Sequence, residues 1–254
     1  MIGCIIQARM GSTRLPGKTL KLINSKTPML EFQLNQLKFS NLIEKIVIAT
    51  TTFESDNIIV DFCKKNNLDY FRGQSKDVLD RYYQCAKKYN FPIIVRITSD
   101  NPLIDPEIVD QVIELFKTSN CDYMSTEYPK TFPLGFAVEV FTFKSLEKAW
   151  MEAKLPSERE HVTPYLFKNK NLFKLCNHSY RENISHIRCT VDTDNDFKFI
   201  EKIIQKLNSH PIHLNHVLDL LTDEPKLLEI NKHIKHDGYE KSLKEDIKFL
   251  SENE

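Results

Sequence analysis

Glycine is scarce in this chain, six in 254 residues, and no internal period is found, which excludes glycine-rich and repeat architectures. Cysteine is equally sparse and scattered. Cys4, Cys63, Cys85, Cys121, Cys176 and Cys189 form no CxxC pair, which argues against a zinc site or a disulfide framework and for reduced, mostly buried thiols in a cytoplasm. An excess of charge of one sign is missing too: 35 basic and 35 acidic residues leave a formal net charge of zero. General nucleic-acid and membrane-surface binders need a basic surplus, whereas a local phosphate site does not. No run approaches about 18 apolar residues, and the opening Met-Ile-Gly-Cys-Ile-Ile lacks the basic start and cleavage site of a secretory signal. The expectation is a cytoplasmic protein with no membrane or nucleic-acid partner. What the chain does have is core material. At 41% hydrophobic and 28% charged residues it suits a folded protein, read here as a single domain over 1–254 with a small accessory part.

Residues 2–8 form a short, nearly continuous apolar run, as do 46–50 and 93–97; such runs fit strands buried on both faces of a parallel sheet. A weaker strand is expected at 69–71. Helical patterns lie between them, opening at Pro28 and covering about 55–66 and 76–89, and a one-sided helix follows Pro106 with Ile108, Val109, Val112, Ile113 and Phe116 on its apolar face. Strands alternating with helices imply right-handed crossovers and an open, mainly parallel, Rossmann-like α/β sheet. From 121 to 190 the pattern changes to short strand-like pieces (121–126, 136–142, 172–177, 187–191) around helices at 144–153 and 157–168. This segment is expected to be a mixed insertion or lid with some antiparallel pairing. One further helix follows through Phe197, Ile200, Ile204 and Leu207, and the last 30 residues read as short surface helices.

In open α/β sheets ligands bind beyond the carboxyl ends of the strands. Two loops there are chemically unusual. Gln7-Ala8-Arg9-Met10-Gly11-Ser12-Thr13-Arg14-Leu15-Pro16-Gly17-Lys18 gathers three cations, two hydroxyls and two glycines, a combination suited to a polyphosphate. It is not a Walker A loop: five residues separate Gly11 from Gly17 where that motif allows four, and Pro16 removes a backbone donor. The other reading is a solvated polar loop with helix-capping hydroxyls. The second loop, Arg96 to Asp105, places Ser99-Asp100-Asn101-Pro102 just past the fourth strand. Asp100 is open to two roles, ligand of a hard cation or cap of the helix after Pro106, and Asp105 reads as that cap. A companion lies in Val191-Asp192-Thr193-Asp194-Asn195-Asp196, where Asp192 follows an apolar stretch and Asp194 sits where an N-cap is wanted. Asp192 is therefore assigned to metal and Asp194 to structure. An EF-hand is excluded, because Phe197 occupies the glycine position.

Taken together, Ile5 to Lys18 resembles the signature of the cytidylyltransferase family that includes CMP-Kdo synthetases, and its Gln-Ala-Arg-Met-Gly-Ser form is most similar to the spore-coat polysaccharide biosynthesis protein F branch. Ser99-Asp100-Asn101-Pro102 and Val191-Asp192-Thr193 resemble that family's metal-binding Asp segments. Asp77 to Tyr83, Pro133 to Phe136 and Glu158 to Tyr165 are also similar to that branch. The resemblance implies a homodimeric nucleotide-binding α/β enzyme, the 121–190 segment often building the dimer. It implies transfer of CMP from CTP, with Mg²⁺, to a small anionic acceptor, releasing pyrophosphate. The acceptor is a sugar acid or a phosphorylated or phosphonate small molecule, in surface or capsular polysaccharide biosynthesis.

Carried across, Arg9, Lys18 and Asp100 are the catalytic candidates. Gln7, Ala8, Arg9, Met10, Gly11, Ser12, Arg14, Lys18, Ser99 and Asp100 would meet the nucleotide, and Gly73, Asp80 and Arg81 would border its base or ribose. Glu139, Arg159 and His161 are acceptor candidates, and Asp100 and Asp192 would hold magnesium. Glu158 and Arg159 have a second reading as a surface ion pair, and His161 as a packed or capping residue. Gly17-Lys18-Thr19 departs from the Lys-Asn typical of CMP-sialic acid synthetases, which weakens that acceptor. One rival is a nucleotide-sugar-dependent glycosyltransferase on a similar scaffold, which would release a nucleoside diphosphate; another is a non-catalytic nucleotide-binding protein.

Overall fold

The structure, a computed structural model, describes residues 1–207, 209–235 and 238–252. Its centre is a seven-stranded sheet in the order β3-β2-β1-β4-β6-β5-β7. Strands β1 (Ile2–Gln7), β2 (Lys45–Thr51), β3 (Asp69–Gly73) and β4 (Ile93–Thr98) pair in parallel. β6 (Glu139–Thr142) runs antiparallel between β4 and β5 (Tyr123–Ser125), and β7 (Leu175–Asn177) returns parallel to β5. The parallel half and the antiparallel pairing of the 121–190 segment are both as the sequence patterns imply.

Side-chain alternation along the strands feeds two cores. Cys4, Ile6, Ile48, Val95 and Ile97 face one layer with helices α1 (Met29–Leu37), α2 (Asn57–Lys65), α4 (Pro106–Ser119) and α8 (Asp194–Lys206). Ile5, Val47, Ala49 and Ile94 face the other, with α3 (Val78–Lys88) and α5 (Phe143–Glu152). Each fully buried Ile, Val or Leu contributes about 1.5–3 kcal/mol, so strands buried on both faces are the strongest part of the fold. Gly3 lies under Phe91, where a Cβ would stand 2.3 Å from the ring. Asp105 caps α4 by accepting from the Glu107 N–H at 2.9 Å, as expected.

Four local expectations need correction. The helix at 157–168 is two, α6 (Pro156–His161) and α7 (Pro164–Lys168), because Val162 has φ 74° and Pro164 cannot continue the first. Residues 187–191 make no strand. They form a rail whose N–H groups bond first to Leu134 (Cys189, 2.6 Å) and then to Asp100 (Val191, 2.8 Å), so no single neighbour offers a ladder. The cap of α8 is Thr193, which accepts from the Asp196 N–H; Asp194 is the first helical residue and pairs with Lys21 at 2.9 Å. The tail contains α9 (Leu214–Asp223) and then a 15-residue helix, α10 (Gly238–Glu252), longer than the pattern implies. Polar residues fasten α10 to α6: Asp246 accepts from the Ser157 N–H at 2.8 Å and from its hydroxyl at 2.6 Å.

Candidate active site

A cleft of about 620 Å³ opens beyond the carboxyl ends of β1 and β4. One wall is the loop after β1. Its shape is set by hydrogen bonds within and behind the loop: the Met10 N–H donates to Asp56 at 2.7 Å, Asp56 is also held by the Thr51 hydroxyl, and the Thr19 hydroxyl donates to the Arg9 carbonyl at 3.0 Å. Gly17, at φ 73°, turns the chain so that Lys18 points back into the site. A Cβ at Gly11 would meet nothing, so the protein's own packing does not demand a glycine there.

Lys18 is the hub. Its Nζ donates to the Val191 carbonyl at 2.6 Å, to Asp192 Oδ1 at 3.0 Å and to Asp100 Oδ2 at 3.4 Å. The rail explains how residues so far apart in sequence meet, since Val191 is hydrogen-bonded through its N–H to the Asp100 carbonyl. Burial alone would lower the Lys18 pKa, but the facing charges of Asp100 and Asp192 outweigh it and hold the ammonium above its ordinary value. Burial would likewise raise Asp192; Lys18 first, then Arg14 at 3.1 Å and Arg188 at 2.9 Å, bring it from 3.8 down to about 2. Behind Asp192 lies a fully buried layer. Arg188 is clamped by Asp196 at 2.8 and 3.1 Å, and Asn231 donates to both the Arg188 carbonyl and Asp196.

Two cations at this end have no carboxylate partner among the described residues. The Arg9 side chain is exposed on the loop. Arg81 is 1% exposed, its Nη1 donates to the Gln74 carbonyl at 2.7 Å, and its buried Nε has no partner. Burial lowers the Arg81 pKa from its ordinary value. Unpaired guanidinium groups beside a lysine can hold a polyanion. A pair of carboxylates converging on one cation position offers the hard oxygen donors that suit magnesium.

The opposite wall comes from residues 127–167 and from the first turn of α10. Register sets its main ion pair: Arg96 and Glu139 stand directly opposite across β4 and β6. Arg96 bridges Glu139 and Gln7, and Glu139 also accepts from the hydroxyls of Tyr123 and Thr163, each at 2.6 Å. Lys130 pairs with Glu127 at 2.8 Å, and burial raises the Glu127 pKa despite that neighbour. His161 Nε2 is 2.9 Å from the Ser242 hydroxyl, which donates to Glu160, and its ring meets Tyr239 edge-on.

Most of the expected site residues meet at this cleft: Gln7, Ala8, Arg9, Gly11, Ser12, Arg14, Lys18, Arg81, Ser99, Asp100, Glu139, His161 and Asp192 all line it. Met10, Gly73, Asp80 and Arg159 do not. The N–H of Met10 is spent on Asp56, and Asp80 accepts from Trp150 at 2.9 Å and from Gln84 at 3.1 Å. Arg159 is bound to Asp77 and to the Trp150 carbonyl, and Glu158 accepts from the N–H groups of Lys154 and Leu155, so these two residues are not an ion pair with each other. Arg96 and Arg188 escaped the sequence reading, although a charged residue inside an apolar strand-like run was a usable signal for each. Asp105, Glu107 and His213 bring possible metal-ligating atoms within 4.8 Å, but Asp105 is fully occupied in capping α4 and α9 and the group lies off the cleft.

A mainly parallel sheet with a cation-rich loop after its first strand and carboxylates at the end of its fourth defines a nucleotide-handling α/β protein. Residues 3–233 match the family described as Cytidylyltransferase, and the chain belongs to it. It is 41% identical to a protein of Methanocaldococcus jannaschii described as uncharacterized, over 92% of this chain and 96% of that one. It is 33% identical to the spore coat polysaccharide biosynthesis protein SpsF of Bacillus subtilis, over 87% and 94%. The solved cytidylyltransferase of Leptospira borgpetersenii superposes with a TM-score of 0.87 at 36% identity, over 92% of this chain and 99% of that one. The chain is thus a CTP-dependent nucleotidyltransferase. No helix among the described residues is long and apolar enough to cross a membrane.

Proposed function

We propose that the chain transfers CMP from CTP to a small anionic acceptor, a sugar acid or a phosphorylated or phosphonate compound, in the making of a surface polysaccharide. The observation that carries this reading is the convergence of Lys18, Asp100 and Asp192 at the ends of β1 and β4, with Arg9 and Arg81 left without carboxylate partners among the described residues. An acceptor oxygen attacks the α-phosphorus of CTP, the new O–P bond forms, and the bond to the departing pyrophosphate breaks in line. Arg9, Arg14, Lys18 and Arg81 hold the phosphates and neutralise the charge that gathers on the leaving group. Asp100 and Asp192 would hold Mg²⁺, which supplies further charge compensation on phosphate oxygens. The donor set supports that fit, since the position between the two carboxylates already carries a cation. An acceptor that is already an anion needs little help from a general base.

The 121–190 segment serves as the acceptor-side wall, a reading supported by Glu127, Glu139, His161 and Thr163, which all face the cleft. It also serves as the dimer-building extension of a homodimer. The test is pyrophosphate release from CTP with a panel of sugar acids, phosphorylated sugars and phosphonates. Release with at least one acceptor is the expected result. Release of a nucleoside diphosphate from a nucleotide sugar instead would move the chain to the glycosyltransferases.

A further inference from the structure

The point where the two strand-end carboxylates converge is taken by a cation of the chain itself. Lys18 Nζ stands 3.0 Å from Asp192 Oδ1, 3.4 Å from Asp100 Oδ2 and 2.6 Å from the Val191 carbonyl oxygen. Three oxygens from three backbone positions around one ammonium form a donor set that a small hard cation would also use. Within this cluster, ion pairs among the described residues link three cations, Lys18, Arg14 and Arg188, to three carboxylates, Asp100, Asp192 and Asp196. A divalent ion added beside the ammonium would meet a like charge at contact distance in a half-dry site, where repulsion is strong. Arg14 and Arg188 differ from Lys18 in one respect. Both hold the outer oxygen of Asp192, Oδ2, and neither stands between the two carboxylates.

We propose that Lys18 is the resident occupant of the metal seat, and that its ammonium and a divalent cation exclude each other there. The carboxylates open to metal when triphosphate oxygens draw Lys18 away. Nucleotide and metal therefore bind by exchange, the phosphates taking the ammonium and the carboxylates taking the divalent ion. This deepens the proposed function and rests on its reading of Asp100 and Asp192 as the metal-facing pair.

The test is Mn²⁺ binding to the full chain without nucleotide, followed by the electron spin resonance of free Mn²⁺. The chain is compared with Lys18→Met and Arg14→Met, which each remove one positive charge. Lys18→Met is expected to bind Mn²⁺ about tenfold or more tighter than the unaltered chain, and Arg14→Met no more than about threefold tighter. Equal binding by Lys18→Met and the unaltered chain would overturn the proposal. So would equal tightening by both variants, because that marks bulk charge rather than a shared seat. If Lys18→Met does not fold, acetylation of Lys18 in the unaltered chain, mapped by mass spectrometry, decides the matter: saturating Mn²⁺ should raise it, and unchanged or lowered labelling contradicts the exchange. No CTP or acceptor enters either experiment, so failure of cytidylyl transfer and failure of the exchange are seen separately.

Discussion

The two ends of the cleft use charge in opposite ways. At the phosphate end Arg9 and Arg81 have no carboxylate partner among the described residues, and Lys18 is held by carboxylates that would themselves accept a metal. At the other end the cations Arg96 and Lys130 are matched, Arg96 with Glu139 and Lys130 with Glu127. The first end is built to gain binding energy from any polyanion that reaches it. The second has charge already compensated, so on the proposed function an anionic acceptor would exchange with Glu127 or Glu139 for a cation, and discrimination there would come from the quality of that exchange.

Breaking the phosphate end should have the largest effects. Asp100→Asn should abolish metal-dependent pyrophosphate release while the circular dichroism spectrum and melting temperature stay close to those of the unaltered chain; full activity would remove Asp100 from the metal pair. Lys18→Ala should lower kcat by about 10²-fold or more, the size of losing one charge-stabilising donor. Unchanged turnover would take Lys18 out of the chemistry. Behind the site, Arg188→Met strips the guanidinium from buried Asp196 and from Asp192, and should cost about 3–5 kcal/mol of stability in urea unfolding. A loss below about 1 kcal/mol would mean that Asp196 finds other compensation.

Smaller effects sharpen the contrast. The depressed Asp192 carboxylate contributes stability at any pH above its ordinary value of 3.8, and that contribution is lost as pH falls from about 4 toward 2. Lys18 behaves oppositely: its raised pKa contributes below the ordinary lysine value of 10.5 and is lost only at higher pH. Acid unfolding of Asp192→Asn should accordingly lack part of the decline between pH 4 and 2, and an unchanged acid limb would contradict the pairing. Arg159→Ala, outside the cleft and bound to Asp77, should leave CTP affinity within about twofold and affect only stability, by about 1 kcal/mol or less after solvent screening.

The phosphate end was legible because its chemistry is local. Arg9, Ser12, Arg14 and Lys18 sit on one loop, and the apolar runs around it could only be strands buried on both faces. The opposite wall draws on residues 127, 139, 161 and 239, which meet through antiparallel pairing and through the helix α10. Nothing in local spacing announces that Arg96 faces Glu139 or that Ser242 meets His161. The misplaced cap teaches the same lesson at smaller scale. Thr193 and Asp194 are both good caps, and the choice fell to Thr193 because Asp196 answers it from three residues on. The break at Val162 was in the sequence as Pro164, which disfavours a helical conformation in the residue before it and ends the polar 157–161 stretch.

Calorimetric binding of CTP, UTP, GTP and ATP, each with and without Mg²⁺, tests the central claim most directly, because it needs no acceptor. The account predicts clear preference for CTP and tighter binding with the metal, with a nucleotide at 100 times its Kd stabilising the fold by about 2.7 kcal/mol. Equal binding of all four nucleotides, or CTP binding indifferent to Mg²⁺, would contradict it.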